Sequence, residues 1–500
     1  MNIVYSFIFW FSLVLMVVLI NPNLKINRIK INEATAKEWR IGLALMIYLI
    51  IVCLLPMDLS PSYNGHHKTQ RQQYEQQAEA FAAGHLYLDL EVDPKLEAME
   101  NPYDRWGRDE VGANFEYDTA YYKGHYYMYF GVTPVVLVYL PYLLITGHSL
   151  LGFRGTQIIV TVLIFAMCLL FKKLADIFFK EMKFGSYIML CATMSIISVW
   201  YAVGAPSLYT VPNVMGICVE LFSFFFYLKA VYDDCSENKS IVYAVLGGLF
   251  GALAFGCRPT IAFANFFAIP LVVTYFRRRG FSIKLLLKLL FVAIPYAVCG
   301  GLIMAYNYLR FENPFEFGQS YQLTTEDQSQ YMSMLSRLNL KEEIHGIVHY
   351  FVISSRDINL LELGAFVSFP ILLFIVFAIF NSKTFGEIKE DKMIASVVTL
   401  ILINIFIAAM DTLWSPYFWP RYRMDIYWLV GVLAFIAIGY CFRVYENSKA
   451  LTVVIAVLCD ISIAMCFLMC IYPFDHNFTF DFNLTVMDVV KSLVTFGMVQ

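Results

Sequence analysis

The stretch IVYAVLGGLFGALAFGCRPTIAFANFFAIPLVVTYFRRR, Ile241–Arg279, decides the fold. A membrane-spanning helix needs about 20 mostly apolar residues to cross the hydrocarbon layer. The apolar run 241–276 is nearly twice that length and is broken once, at Arg258-Pro259. Proline removes a backbone donor and disfavours helix in the residue before it, so a break belongs there. Read as two spans turning at Arg258-Pro259, the stretch delivers Arg277, Arg278 and Arg279 to the side where lysine and arginine concentrate, the cytoplasm.

Working outward, the composition is that of a chain dissolved in lipid. Of 500 residues, 59% are hydrophobic and only 15% charged, against about 25% charged in soluble domains. The net charge of -3 and the lack of a basic stripe with interleaved aromatics give no sign of nucleic-acid binding. The 11 cysteines lie mostly in apolar runs, and no CxxC knuckle or disulfide framework emerges. Further spans are expected at 3–20, 41–57, 156–171, 185–205, 213–230, 285–305, 360–380, 393–410, 425–442 and 451–471. The first lacks a basic leader and a small-residue cleavage site, so it reads as a retained helix. The 21–40 loop carries Lys25, Arg28, Lys30, Lys37 and Arg40, which makes it cytoplasmic.

The segment VTPVVLVYLPYLLITGHSL (132–150) is long enough to cross. If it did, the next helix would carry Lys172, Lys173, Lys180 and Lys183 to the outer face. Pro134 and Pro141 suit a broken helix better, so the segment is expected to be re-entrant or interfacial. The fold class is then an all-α polytopic membrane protein with about twelve transmembrane helices. Its parts are an N-terminal pair (1–57), a first outer loop (58–155), spans (156–305), a second outer loop (306–359), further spans (360–471) with a short outer loop at 411–424, and an outer tail (472–500).

The outer loops hold the unusual residues. In loop one, 69–83 reads as a surface helix with Tyr74, Ala78, Phe81 and Ala82 on its apolar face, ended by Gly84. YDTAYYKGHYYMYFGVTP follows, with seven aromatic rings around Asp118; an aromatic belt at the membrane surface is the plain alternative. DTLWSPYFWPRYRMD gathers Asp411, Arg421, Arg423 and Asp425 at a membrane boundary. Charges there usually face a cavity and carry function, although arginines also snorkel to headgroups. Arg258, at the hairpin tip with no carboxylate near it in sequence, is either an anchor or a ligand for an anion such as phosphate.

Taken in order, NPYD, the tyrosine-rich run around Asp118, GALAFGCRP, YNYLRFENPFEFG and RYRMD resemble the GT-C superfamily of membrane glycosyltransferases, specifically bacterial relatives of the protein-mannosyltransferase and lipid A aminoarabinose-transferase families. The likeness runs from about residue 41 to residue 440. It implies a polyprenyl-phosphate-sugar donor lipid, a cell-envelope glycan or lipid acceptor, and transfer on the outer face of a bacterial plasma membrane. The chain departs from the superfamily in its extra N-terminal span. It also has no acidic pair where loop one begins, only Asp58 followed by His66 and His67.

Under that resemblance a carboxylate deprotonates the acceptor and cations stabilise the departing lipid phosphate. Asp118 is the first candidate for the base and Asp58 the second. Arg258, Arg421 and Arg423 are the candidates for donor phosphate; Tyr121, Tyr122, Tyr126, His67 and Asp425 for sugar or acceptor. No metal or cofactor is expected, and oligomeric state is not legible. Two rival classes remain: a transporter or flippase of a lipid-linked sugar, and a membrane scaffold binding cell-wall polymer. Transporters more often place charges at the midplane of interrupted helices, whereas this chain concentrates them in outer loops.

Overall fold

The computed structural model describes residues 3–59, 72–325, 338–352, 363–414, 420–446 and 448–471. Among these, nine helices are long and apolar enough to cross a membrane: Gly152–Phe178, Phe184–Gly204, Val211–Tyr232, Glu237–Phe255, Pro259–Arg279, Ile283–Phe311, Ile394–Trp414, Arg423–Val444 and Lys449–Cys470. Two N-terminal helices, Ile3–Leu19 and Ala36–Leu59, precede them. The chain is an all-α polytopic membrane protein.

Arg423–Val444 is the axis of the bundle, buried along its whole apolar length. Small residues let neighbours approach it: a side chain at Gly439 would collide with the Phe179 ring, and Phe171 stacks on Phe435 at 3.9 Å. Ile283–Phe311, by contrast, buries almost none of its apolar surface. In water such a surface would be a liability, and in a bilayer it meets its own solvent.

Two polar faces result. On one, Lys30 pairs with Glu181 and, at 3.1 Å, with Glu446. Ile31 donates its N–H to Met182 and Phe184 donates to Ile29, both at 2.9 Å. The loops near residues 30, 182 and 446 therefore share a face, which requires an even number of crossings between the first two. The segment between them includes Val135–Thr146, a short apolar helix that opens with a π-helical turn. At 1.5 Å per residue such a helix spans about 18 Å, too little for a core of about 30 Å.

Several expected boundaries move. The 360–380 span is a bent pair, Pro370–Phe380 and Ser382–Glu390, at 77°. The bend falls where Asn381 caps the second helix by accepting from the Thr384 N–H. The expected loop 411–424 shrinks, because Asp411 lies within Ile394–Trp414 and Arg423 and Asp425 open the next helix. Loop one narrows as well, from Leu59 at one end to Gly152 at the other. The expected surface helix is Gln73–Ala83, and Gly84 ends it at φ 91°. It does not lie with a polar face in water: Gln73, Glu75 and Gln77 are buried along with Tyr74 and Ala78, while Ala82 is exposed. The expected outer tail, 472–500, lies outside the described residues.

Candidate active site

Opposite the Lys30 face, four parts of the chain meet. Loop one supplies a two-stranded hairpin, Ala120–Tyr122 with His125–Tyr127. Loop two extends it, as Ala120 bridges Gln322 and Leu323 donates to the Thr119 carbonyl at 2.9 Å. The hairpin tip at Arg258 closes against loop one. Thr133 donates its N–H to Gly256 at 2.9 Å. Gly131 sits so close that any side chain there would collide with the carbonyls of Gly256 and Cys257. The fourth part is the stretch Pro420–Tyr422, which leads into the axial helix.

Asp118 is held at the junction. Its φ of 58° is left-handed, a conformation that aspartate tolerates better than most residues. Every polar group on it is occupied. The N–H donates to Leu323 at 2.9 Å, the carbonyl accepts from Gln73 at 2.8 Å, and Oδ1 accepts from Gln322 at 2.9 Å. The Tyr209 hydroxyl donates to Oδ2. Burial raises the carboxyl above the ordinary aspartate range, while the Tyr209 hydrogen bond, the Arg421 charge and the Gln322 hydrogen bond pull it back.

Tyr209 links this carboxylate to the cations. The Arg421 guanidinium lies over its ring at 4.7 Å and over Tyr422 at 5.2 Å. Arg258 lies over Tyr422 at 4.9 Å. Arg258 is not the isolated cation that its sequence surroundings suggest. Its Nε pairs with Asp425 Oδ2 at 2.5 Å, and its NH2 group is 3.8 Å from Asp411. Asp425 accepts further from Thr260 at 2.7 Å and Asn213 at 2.6 Å. It is thus enclosed as a hub that fixes Arg258, rather than presented to a sugar. Asp411 is fully buried, and among the described residues none donates a hydrogen bond to either carboxylate oxygen.

Arg423 turns elsewhere. It donates to the Leu363 carbonyl at 3.0 Å and lies 3.1 Å from His349 Nε2. Burial, with the charges of Arg423 and His345, pushes His349 down to about 3, so the ring is neutral and can accept from the guanidinium. Tyr121 and Tyr126 are buried cross-strand partners in the hairpin, 5.5 Å apart, and Tyr122 packs against Tyr321 at 4.5 Å. The hairpin's own packing uses these rings. Asp58 falls in the last turn of Ala36–Leu59, and its side chain, like all of His67, is outside the described residues.

The structure therefore brings Asp118, Arg421, Arg258 and Asp425 together and sends Arg423 away. Tyr209, Gln322, Asn213 and Thr260 join the site without having stood out in the sequence. Tyr209 carried a signal, being the one ring in the short polar break APSLYT between two apolar runs. Among the described residues no group of three or more His, Cys, Asp and Glu could hold a metal ion.

No protein-family model matches the sequence, and no curated protein matches it. Among solved structures, the chain is similar to the Archaeoglobus fulgidus oligosaccharyltransferase in its apo form, at 13% identity and TM-score 0.46, covering 87% of this chain and 56% of that one. The oligosaccharyltransferase AglB of the same archaeon, in complex with an inhibitory peptide and a dolichol-phosphate, matches at 13% identity and TM-score 0.47 with the same coverage. ArnT from Cupriavidus metallidurans, bound to undecaprenyl phosphate, matches at 13% identity and TM-score 0.41, covering 81% of this chain and 60% of that one. The chain thus spans 56% to 60% of the length of these structures.

Proposed function

We propose that this chain is a membrane glycosyltransferase that moves a sugar from a polyprenyl-phosphate-linked donor to a cell-envelope acceptor, at the face that carries Asp118 and outside a bacterial plasma membrane. The observation that carries the reading is the convergence of Asp118 and Arg421 on Tyr209 at the ends of membrane spans. Asp118 takes the proton of the acceptor hydroxyl as that oxygen bonds to the sugar's anomeric carbon. The bond from that carbon to the phosphate oxygen breaks, and the lipid phosphate leaves with its electron pair. Arg421, a planar cation backed by two aromatic faces, receives the phosphate. Arg258 is already paired with Asp425 and sets the cationic wall behind it. The donor's apolar chain lies along the lipid-facing helices.

The test is turnover by the purified full chain in sealed proteoliposomes, offered a panel of polyprenyl-phosphate sugars with a host envelope extract as acceptor. At least one donor should yield free polyprenyl phosphate and a glycosylated acceptor. If every donor is carried across the bilayer intact and none is cleaved, the chain is a flippase.

A further inference from the structure

A second polar feature lies within the spans. Glu220 is fully buried in Val211–Tyr232, and its Oε1 accepts from Asn265 Nδ2 at 2.6 Å. The same nitrogen donates to the carbonyls of Gly251 at 3.0 Å and Ala262 at 2.9 Å. Three acceptors around Nδ2 fix the amide's orientation, so Asn265 Oδ1 must face the other way. There it accepts from the Tyr296 hydroxyl at 2.5 Å. Tyr296 has then spent its one hydrogen, and the Tyr227 hydroxyl, 3.2 Å away, must donate to it.

The helix Glu237–Phe255 is carved to admit this chain. A side chain at Gly251 would meet Asn265 and come within 2.6 Å of the Tyr296 hydroxyl, and one at Gly247 would lie 2.7 Å from the Tyr227 ring. Tyr227 and Tyr296 line a cavity of about 390 Å³, with Ala, Val and Leu side chains and Tyr275 as the rest of its wall. Ser240 donates to the Ala230 carbonyl at 2.7 Å and also lies 3.0 Å from the Tyr275 hydroxyl, which accepts from it. Tyr227 and Tyr296 thus have their hydrogens engaged by protein and offer only lone pairs to a ligand. No cation lines the cavity. Tyr227 lies 14 residues along the helix from Asn213, about 21 Å at 1.5 Å per residue, so the chamber is separate from the Asp118 cluster.

We propose that this chamber binds a lipid alcohol: an apolar chain whose hydroxyl donates to the tyrosine oxygens. A lipid phosphate is the wrong partner, because its anion would face the lone pairs of Tyr227 and Tyr296 with no cation among the lining residues to meet it. A pure hydrocarbon fits the walls and leaves the acceptors unused.

The test measures binding of farnesol, farnesyl monophosphate and farnesane to the full chain in nanodiscs. Farnesol should bind about fivefold more tightly than farnesane, the worth of one net hydrogen bond, and farnesyl monophosphate should not bind at this site. Tyr227→Phe should erase the preference for the alcohol. Ala268→Phe and Val231→Phe, which fill the chamber, should each abolish farnesol binding. Equal binding of farnesol and farnesane by the wild type overturns the proposal, as does farnesol binding that survives both filled variants. Preference for the monophosphate overturns it as well.

Discussion

Asp118→Asn should leave a folded protein whose sugar transfer has fallen by at least about 10², the usual worth of a general base. Asparagine suits this test on three grounds. It keeps the volume in a buried site, it tolerates the left-handed φ that Asp118 adopts, and its amide can still bond Gln322 and Tyr209. What it cannot do is take a proton. The pH dependence gives a second, independent reading. Asp118 acts as a base only when ionised, and burial, opposed by Tyr209, Arg421 and Gln322, raises its pKa above the ordinary range. Transfer should therefore fall as pH drops through that raised value, with a limb above the ~3.9 of an exposed aspartate. In Asp118→Asn the limb should vanish from what activity remains. Wild-type turnover in Asp118→Asn would move the base to another carboxylate, Asp58 first.

The second large effect is on stability. Asp425→Ala should destabilise the fold by about 3–5 kcal/mol, because breaking a buried ion pair strands its partner. Among the described residues Arg258 would keep Asp411, 3.8 Å away, as its one carboxylate partner, and Asn213 and Thr260 would lose their shared acceptor. Arg258→Lys keeps the charge but loses the Nε–H that meets Asp425, so it should fall between the wild type and Asp425→Ala. Thermal unfolding in detergent reads all three. An Asp425→Ala variant that unfolds with the wild type would mean the pair contributes nothing, and Arg258 would revert to a free anion ligand.

How much of this was legible in the sequence depends on what kind of contact made it. Span positions were legible because hydrocarbon imposes length and apolarity on each helix separately, as in the hairpin that turns at Arg258-Pro259. The bend at Asn381 was missed although a cap signal, Asn381 before Ser382-Lys383-Thr384, stood in the text. Hydropathy outweighed it. Asp118 stood out because a lone carboxylate among tyrosines is unusual. Its partners did not: Gln322 arrives from a loop two hundred residues later, and nothing local to either residue specifies that pairing. Arg258 was misjudged for the same reason, since Asp425 is remote in sequence and adjacent only in the bundle. The loop tyrosines misled in the opposite sense. Tyr121 and Tyr126 have the composition of a sugar platform, but their alternation around Lys123-Gly124 is that of a hairpin, and the hairpin buries them.

If a lipid phosphate docks at Arg421 while Asp118 does the chemistry, binding separates from turnover. The measurement is the affinity of polyprenyl phosphate, in nanodiscs, for wild type, Asp118→Asn and Arg421→Ala, with folding checked by gel filtration. A charge-assisted contact in a partly desolvated site is worth about 1.5–3 kcal/mol. Arg421→Ala should therefore weaken binding by roughly tenfold to a hundredfold, while Asp118→Asn binds at least as tightly as the wild type. Undiminished affinity in Arg421→Ala, or lost affinity in Asp118→Asn, would contradict the account.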